Sequence, residues 1–191
     1  MSGVRLEEPQ RIAERLNFLF ARVYSRETGP KTSEEVSLAT GVPAEDIARL
    51  RRGLPLDAVA SDEELFRMRL EHLMINRLGT RSISDVAKAC GKTRQWLSNL
   101  RMGISGPRLD STVRLARFFD VDTNFFTDDH LEALARHFGI ECGVEFFTAA
   151  DDSPAVIEAQ QQVELAVVLR EAGGIPAVLG RILGSFPESR G

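Results

Sequence analysis

The side chains best suited to specific chemistry lie in one short polar run, residues 92–95. Arginine and glutamine can each form two hydrogen bonds with the edge of a base, so Arg94 suits guanine and Gln95 suits adenine. Thr93 can cap a helix that begins here and, together with the neighbouring backbone amides, can contact a phosphate. The alternative is that Arg94 and Gln95 are ordinary solvated helix surface.

Other side chains near this run have the charge or polarity to support it. Trp96 leaves two alternatives open, partial burial against the preceding helix or contact with the sugar-phosphate backbone. The side chains that suit the charge of a phosphate backbone are Lys92, Arg101 and Arg108. The full set of candidate DNA contacts is Arg81, Lys92, Thr93, Arg94, Gln95, Trp96, Ser98, Asn99, Arg101 and Arg108.

The polar run belongs to an eighteen-residue pattern that the chain contains twice, at 36–53 and 86–103. Each copy has a glycine, Gly41 or Gly91, followed six positions later by an aliphatic residue and then by a leucine, an arginine and a closing glycine. This spacing predicts two short helices packed crosswise through a tight turn. Such a unit presents its second helix to the major groove of DNA.

The charge distribution agrees with this placement, although the net charge of the chain is −4. Residues 77–108 contain seven basic side chains and one acidic one, Asp85. Residues 120–164 contain eleven acidic side chains and one basic one, Arg136. This polarity suits a protein that places one face on phosphate and keeps the other in solvent. The alternative is that both faces are merely solvated.

Other classes of function find little support in the sequence. The two cysteines and three histidines show no metal-ligand spacing, and there is no glycine-rich phosphate loop or catalytic serine motif. We therefore expect no enzyme activity, no cofactor and no metal ion. No apolar run has the length of a membrane span, and the first ten residues lack the apolar core of a signal peptide, so we expect a cytoplasmic protein.

Helix signals occur along the whole chain, and we find no convincing strand pattern. Thr32, Ser61 and Ser82 each stand three residues before an acidic residue, which is the spacing of a capping box. Thr127 is expected to begin a further helix that Gly139 ends. The sequence therefore predicts an all-α fold, with the last two helices at about 154–171 and 175–185.

A second repeat complicates the domain organisation. LARFFDV at 115–121 leads to FFT at 125–127, and LARHFGI at 134–140 leads to FFT at 146–148. The closing helices are thus repeated back to back, whereas after Gly53 only a short connection separates the first bend pattern from the next unit. Nesting explains this order: residues 11–53 and 129–149 form an outer domain, and 62–128 is a complete copy inserted in it. A serial tandem whose first copy is truncated is the alternative.

The two copies differ where the second helix begins. The outer copy has Glu45 and Asp46 at this point, and acidic side chains approach phosphate unfavourably. Its arginines, Arg49, Arg51 and Arg52, are expected to make weaker or supporting contacts. Alternatively, the outer copy binds protein or has only a structural role.

The C-terminal segment 153–186 suggests self-association. Residues 163–169 are apolar on more than one side, and the apolar residues of 175–186 form a separate stripe. Helices of this kind must be buried on several faces. Homodimerisation through these helices is our expectation, and packing within one chain is the alternative.

Three stretches of the chain resemble a known family. They are RLN…LF…VY…GPKTSEEV within 15–36, LSNLRMG at 97–103 and LARFFDVDTNFFTDD at 115–129. Residues 64–128 resemble the Xre/Cro/lambda-repressor helix-turn-helix proteins. More specifically, the chain resembles the actinobacterial nucleoid-associated regulators of the EspR type. The resemblance implies a transcriptional regulator or nucleoid-associated protein that binds double-stranded DNA sequence-specifically as a homodimer. The alternative is a helix-turn-helix-derived protein interaction module that has lost DNA binding.

Overall fold

The computed structural model describes residues 8–24, 29–56 and 61–173. In these three ranges all regular structure is helical, which confirms the all-α prediction for them. The expected helix at 175–185 lies outside the described residues. The helices are α1 (Glu8–Arg22), α2 (Ser33–Thr40), α3 (Ala44–Arg51), α4 (Asp62–Asn76), α5 (Ile83–Ala89), α6 (Arg94–Arg101), α7 (Leu109–Phe119), a 3₁₀ helix (Thr123–Phe126), α8 (His130–His137), α9 (Val144–Thr148) and α10 (Pro154–Glu171).

The three predicted capping boxes are confirmed at the starts of α2, α4 and α5. At α2 the Thr32 hydroxyl accepts a hydrogen bond from the Glu35 amide at 3.2 Å, and the Glu35 carboxylate accepts one from the Thr32 amide at 2.7 Å. Each box satisfies backbone amides that have no partner within the helix, so it fixes where the helix begins.

The start of α8 differs from the prediction, because Asp129 rather than Thr127 caps this helix. The Asp129 carboxylate accepts from the Glu132 amide at 2.8 Å, and Glu132 accepts from the Asp129 amide at 3.1 Å. This reciprocal pair is a stronger start signal than a lone threonine. Thr127 instead ends the 3₁₀ helix, while Gly139 follows the end of α8 as expected.

The buried apolar side chains form two separate clusters. The first cluster combines residues of α1, α2 and α3 with residues of α8, α9 and α10, and it includes Leu16, Ile47 and Phe146. The second cluster lies within α4 to α7 and the 3₁₀ helix, and it includes Leu70 and Leu97. The chain thus leaves the first core after α3, builds the second core, and returns to the first at α8.

One face of α10 is packed against the rest of the same chain. Its buried residues recur at helical spacing and face the first core or its edge: Val156, Ala159, Val163 and Val167. Near the end of the helix, Arg170 donates to the Arg22 carbonyl at 2.6 Å and lies over the Tyr24 ring at 4.1 Å. The opposite face leaves three large apolar side chains exposed: Ile157, Leu165 and Val168.

Among the described residues, no helix is both long enough and apolar enough to cross a lipid bilayer.

The bend between the helices of each pair is made by a glycine with positive φ, 70° at Gly41 and 65° at Gly91. The two bends have different surroundings. A Cβ at Gly41 would lie 2.7 Å from Cζ of Phe125 and 2.9 Å from Cδ of the buried Arg69. A Cβ at Gly91 would meet only the end of the Arg114 side chain, at 2.9 Å.

We expect Gly41→Ala to destabilise the protein more than Gly91→Ala does. Both substitutions place a side chain in the left-handed region, which costs about 1–2 kcal/mol. At Gly41 the new methyl group also strikes buried atoms, which adds about 1–3 kcal/mol of overpacking, whereas Arg114 can move aside. Urea unfolding of the two variants measures the difference, and equal losses would contradict the tight junction at Gly41.

Candidate nucleic-acid interface

The helix α6 has a buried side and a solvent side. Leu97 and Leu100 are buried in the second core, where α6 packs across α5. Thr93 caps the helix, because its hydroxyl accepts a hydrogen bond from the Trp96 amide at 3.2 Å. Consequently, the first residues of α6 project from a fixed helix end.

Thr93, Arg94 and Gln95 lie together on the surface at this end of α6, and all three are exposed. The Gln95 amide donates to the Asn99 side-chain oxygen at 2.8 Å, one helical turn further on. This bond fixes the orientation of Gln95 before any ligand binds. Lys92, in the turn before the helix, is partly exposed.

Trp96 is half-buried and packs against the second core. Of the two alternatives for this residue, partial burial against the protein is therefore the one observed in the isolated chain. Ser98 and Asn99 are likewise only partly exposed.

Arg101 forms an ion pair within the protein. Its Nε and Nη2 atoms donate to the two carboxylate oxygens of Glu71 on α4, at 2.9 and 2.8 Å. About a third of the Arg101 side chain remains exposed. Any contact between Arg101 and phosphate would therefore compete with Glu71, a partner 30 residues away that the local sequence does not reveal.

Arg81 is also held by the protein. Its guanidinium donates to the carbonyl oxygens of Arg77, Leu78 and Phe118, at 2.7, 3.2 and 2.8 Å. It also lies over the Phe118 ring at 4.4 Å. These contacts join the end of α4 to the end of α7. Arg108, by contrast, is exposed at the start of α7, beyond the loop that follows α6.

Asp85, the acidic residue in the basic stretch, is occupied by helix capping. Its carboxylate accepts from the amide of Ser82 at 2.8 Å and from the hydroxyl at 2.7 Å. The backbone hydrogen bond from Ser82 lowers the pKa of Asp85, with the hydroxyl bond adding to the effect. Asp85 therefore remains ionised at the start of α5, where the helix dipole favours a negative charge.

The arginines of α3 bind their own chain. Arg51 donates to the Asn17 side chain at 2.9 Å and lies over the Phe20 ring at 4.2 Å. Arg49 donates to the Pro55 carbonyl and Arg52 to the Ala48 carbonyl, at 2.9 and 3.0 Å. The basic side chains of α3 thus stabilise the fold around the first core.

The start of α3 has a different surface from the start of α6. Pro43 precedes the helix without a side-chain cap, and Glu45 is exposed. Asp46 lies 3.4 Å from the imidazole of His130 at the start of α8. Burial lowers the pKa of His130, and the charge of Arg69 lowers it further, so this imidazole is neutral at pH 7. At the fifty-residue offset of the two copies, Ala44, Glu45 and Asp46 correspond to Arg94, Gln95 and Trp96, so the start of α3 is acidic where the start of α6 is basic and polar.

Sequence reasoning missed the exposed apolar residues that flank α6. Ile104 is 68% exposed and Leu109 is 78% exposed, on either side of the loop between α6 and α7. Side chains of this kind suit apolar contact with thymine methyl groups. The sequence does contain a sign of this exposure. Both residues lie beside turn residues, and neither fits the spacing of the buried apolar residues in the flanking helices.

The described residues contain no cluster of three or more His, Cys, Asp or Glu side chains placed to hold a metal ion. Cys90 is buried, and burial raises the pKa of its thiol, which keeps it protonated.

Comparison of the chain with protein-family models, with curated proteins and with solved structures found no match.

Proposed function

We propose that the chain is a sequence-specific double-stranded DNA-binding protein, a transcriptional regulator or nucleoid-associated protein of the Xre type that resembles the EspR regulators. In this proposal α5 and α6 form a helix-turn-helix whose α6 enters the major groove. The observation that carries the proposal is the capped start of α6, where Thr93, Arg94 and Gln95 are exposed together. In this proposal the protein acts in the cytoplasm, where it binds the double-stranded DNA of the nucleoid.

We interpret the architecture as two nested copies of this unit. The outer copy consists of 11–53 and 129–149, and the inner DNA-binding copy of 62–128. The support is that α1–α3 and α8–α9 share one core while α4–α7 and the 3₁₀ helix share the other. Each core also contains a buried arginine over a phenylalanine ring, Arg15 over Phe146 and Arg69 over Phe125.

The outer copy contributes little to DNA affinity in this proposal. Its second helix begins with exposed or half-exposed acids, and its arginines are bound within the chain. Its role is to hold the inner copy and α10 in a fixed arrangement.

A second candidate function is suggested by this same acidic surface. If the bend unit were used to bind protein, Glu45 and Asp46 would suit a basic partner. This alternative predicts that substitutions on α6 leave the binding of that protein partner unchanged.

The homodimer is proposed to form through the C-terminal segment 153–186. One face of α10 is used within the chain, and the exposed Ile157, Leu165 and Val168 on its other side are the surface offered to a second copy. A two-fold dimer would place two α6 helices on two half-sites.

We expect Arg94→Ala to weaken binding to the preferred duplex by about 1–3 kcal/mol and to relax base preference at one position, because a paired contact to a base is lost. The preferred duplex is obtained by selection from randomised DNA, and affinities are measured by fluorescence anisotropy at fixed salt. Arg52→Ala, which removes the same charge from the residue that follows α3, is the matched control. Equal weakening on preferred and scrambled duplexes would show that Arg94 contacts only the backbone.

Glu71→Gln is expected to strengthen DNA binding, because it releases Arg101 for a phosphate contact. One added contact should steepen the dependence of log affinity on log salt by about 1 unit. Adding Arg101→Gln to this variant should abolish the gain. If Glu71→Gln leaves affinity and salt dependence unchanged, Arg101 serves only to hold α6 on α4.

Leu165→Glu combined with Val168→Glu is expected to convert the dimer to monomer while the helix content stays constant. Burying a leucine side chain is worth roughly 1.5–3 kcal/mol, so two charges in the interface should weaken dimerisation at least tenfold. Deleting α10 would be a poorer test, because the deletion would also remove the buried side chains of Val156, Ala159 and Val163 and so destabilise the fold. Sedimentation velocity reports the oligomeric state, with Gln161→Glu as the control on the same helix. An unchanged dimer would place the interface elsewhere.

A further inference from the structure

The guanidinium of Arg69 is buried without adequate hydrogen bonding. The residue is 0% exposed, and its Nε and Nη1 atoms have no hydrogen-bond partner in the described part of the chain. Its Nη2 atom reaches only the Asp128 carbonyl, at 3.5 Å. Burial lowers the pKa of Arg69 to about 10, against the opposing charges of Asp128 and Asp129, so the side chain is still cationic at pH 7. A buried charge of this kind destabilises the fold unless it is paired with an opposite charge and its donors are hydrogen-bonded.

Arg15 has the corresponding position in the first core, but it hydrogen-bonds to both a backbone carbonyl and a carboxylate. Both arginines begin the sequence Arg-Leu-x-x-Leu, and both lie over a phenylalanine, at 5.7 Å for Arg15 over Phe146 and 5.4 Å for Arg69 over Phe125. Arg15 donates through Nη1 to the Phe146 carbonyl and through Nη2 to the Asp151 carboxylate, the latter at 2.5 Å. The partner that Arg69 lacks is thus a carboxylate.

The sequence explains why the second core lacks this carboxylate. Asp151 stands three residues after Thr148 of the second Phe-Phe-Thr repeat. Three residues after Thr127 of the first repeat stands His130. The charge of Arg69 lowers the pKa of His130, which is consistent with an imidazole near the guanidinium. A neutral imidazole stands where the corresponding position supplies an anion.

A cavity of about 290 Å³ lies beside Arg69, near the lower end of the roughly 300–1,000 Å³ typical of small-molecule sites. Its lining includes a second cation, Arg77, and apolar surface from Val121, Phe125 and Ala133. The acidic residues that line it are Asp120, Asp122 and Asp128. The Asp128 carboxylate is already paired, because it accepts from Arg136 Nε at 2.7 Å.

We propose that this cavity binds a small organic carboxylate whose charged group pairs with Arg69 as Asp151 pairs with Arg15. Because Arg69 is fully covered, the partly exposed Phe125 ring that lies over its guanidinium turns aside to admit the ligand. Val121, Phe125 and Ala133 contact the apolar body of the ligand. The walls come from both cores, α2 and α8 on one side and α4 and the 3₁₀ helix on the other, so the ligand bridges them. This site is independent of whether the chain binds DNA.

Benzoate, its neutral isostere benzamide, and inorganic phosphate are the probes, each titrated into the full-length protein by isothermal calorimetry and ligand-observed NMR. We expect benzoate to bind at least about tenfold more tightly than benzamide, since the charge-assisted bond to Arg69 is lost with the amide. Benzoate should also bind more tightly than phosphate, which has no apolar body. Equal binding of benzoate and benzamide, equal binding of benzoate and phosphate, or no binding of benzoate at millimolar concentration would overturn the proposal.

Two variants locate the site. Arg69→Met removes the cation and should weaken benzoate binding at least tenfold, while Arg67→Met on the same helix should leave it unchanged. Ala39→Phe fills the cavity from an exposed position on α2 and keeps Arg69, so it tests the site even if Arg69→Met does not fold. It should also weaken benzoate binding at least tenfold. Benzoate affinity that survives Ala39→Phe, or that falls equally in Arg67→Met, would show that the ligand binds elsewhere.

Discussion

Helices of seven or eight residues are unstable in water by themselves, because few hydrogen bonds offset the cost of starting the helix. Both bend pairs are built from such helices: α2, α3 and α6 have eight residues and α5 has seven. Each therefore depends on packing against other helices. For the pair α2–α3 that surface comes from α1 on one side and from α8 and α9 on the other. The chain must consequently return to its first core after completing the second.

The second helices of the two bend patterns present different surfaces because they have different neighbours. The arginines of α3 and the residue after it hydrogen-bond to nearby backbone and to Asn17. Their donors are therefore used within the fold. On α6 the cap at Thr93 leaves Arg94 and Gln95 exposed to solvent. An exposed donor such as the Arg94 guanidinium contributes little to stability but can pair with a ligand.

Sequence reasoning succeeded where the signal was local. The capping boxes at Thr32, Ser61 and Ser82 join residues three positions apart, so residue type and spacing were enough to predict them. The pairing of Arg101 with Glu71 joins residues on two helices, and nothing near Arg101 in the sequence indicates it. The position of α10 depends similarly on Arg170 reaching Arg22 across most of the chain. Such contacts follow from how the helices pack, which spacing alone does not specify.

Contacts at the junction between the two cores hold the second core, which contains α6, against the first. The 3₁₀ helix ends at Phe126 and α8 begins at His130, so this connection leaves little freedom between them. Beside it, His72 on α4 donates to the Leu38 carbonyl on α2 at 3.3 Å, and Phe125 packs against the bend at Gly41. The first core in turn holds α10, whose outer face carries Leu165 and Val168. In a dimer formed through that face, the packing of the helices would fix the distance between the two α6 helices. Binding two half-sites requires such a fixed distance, of about 34–36 Å or a multiple of it.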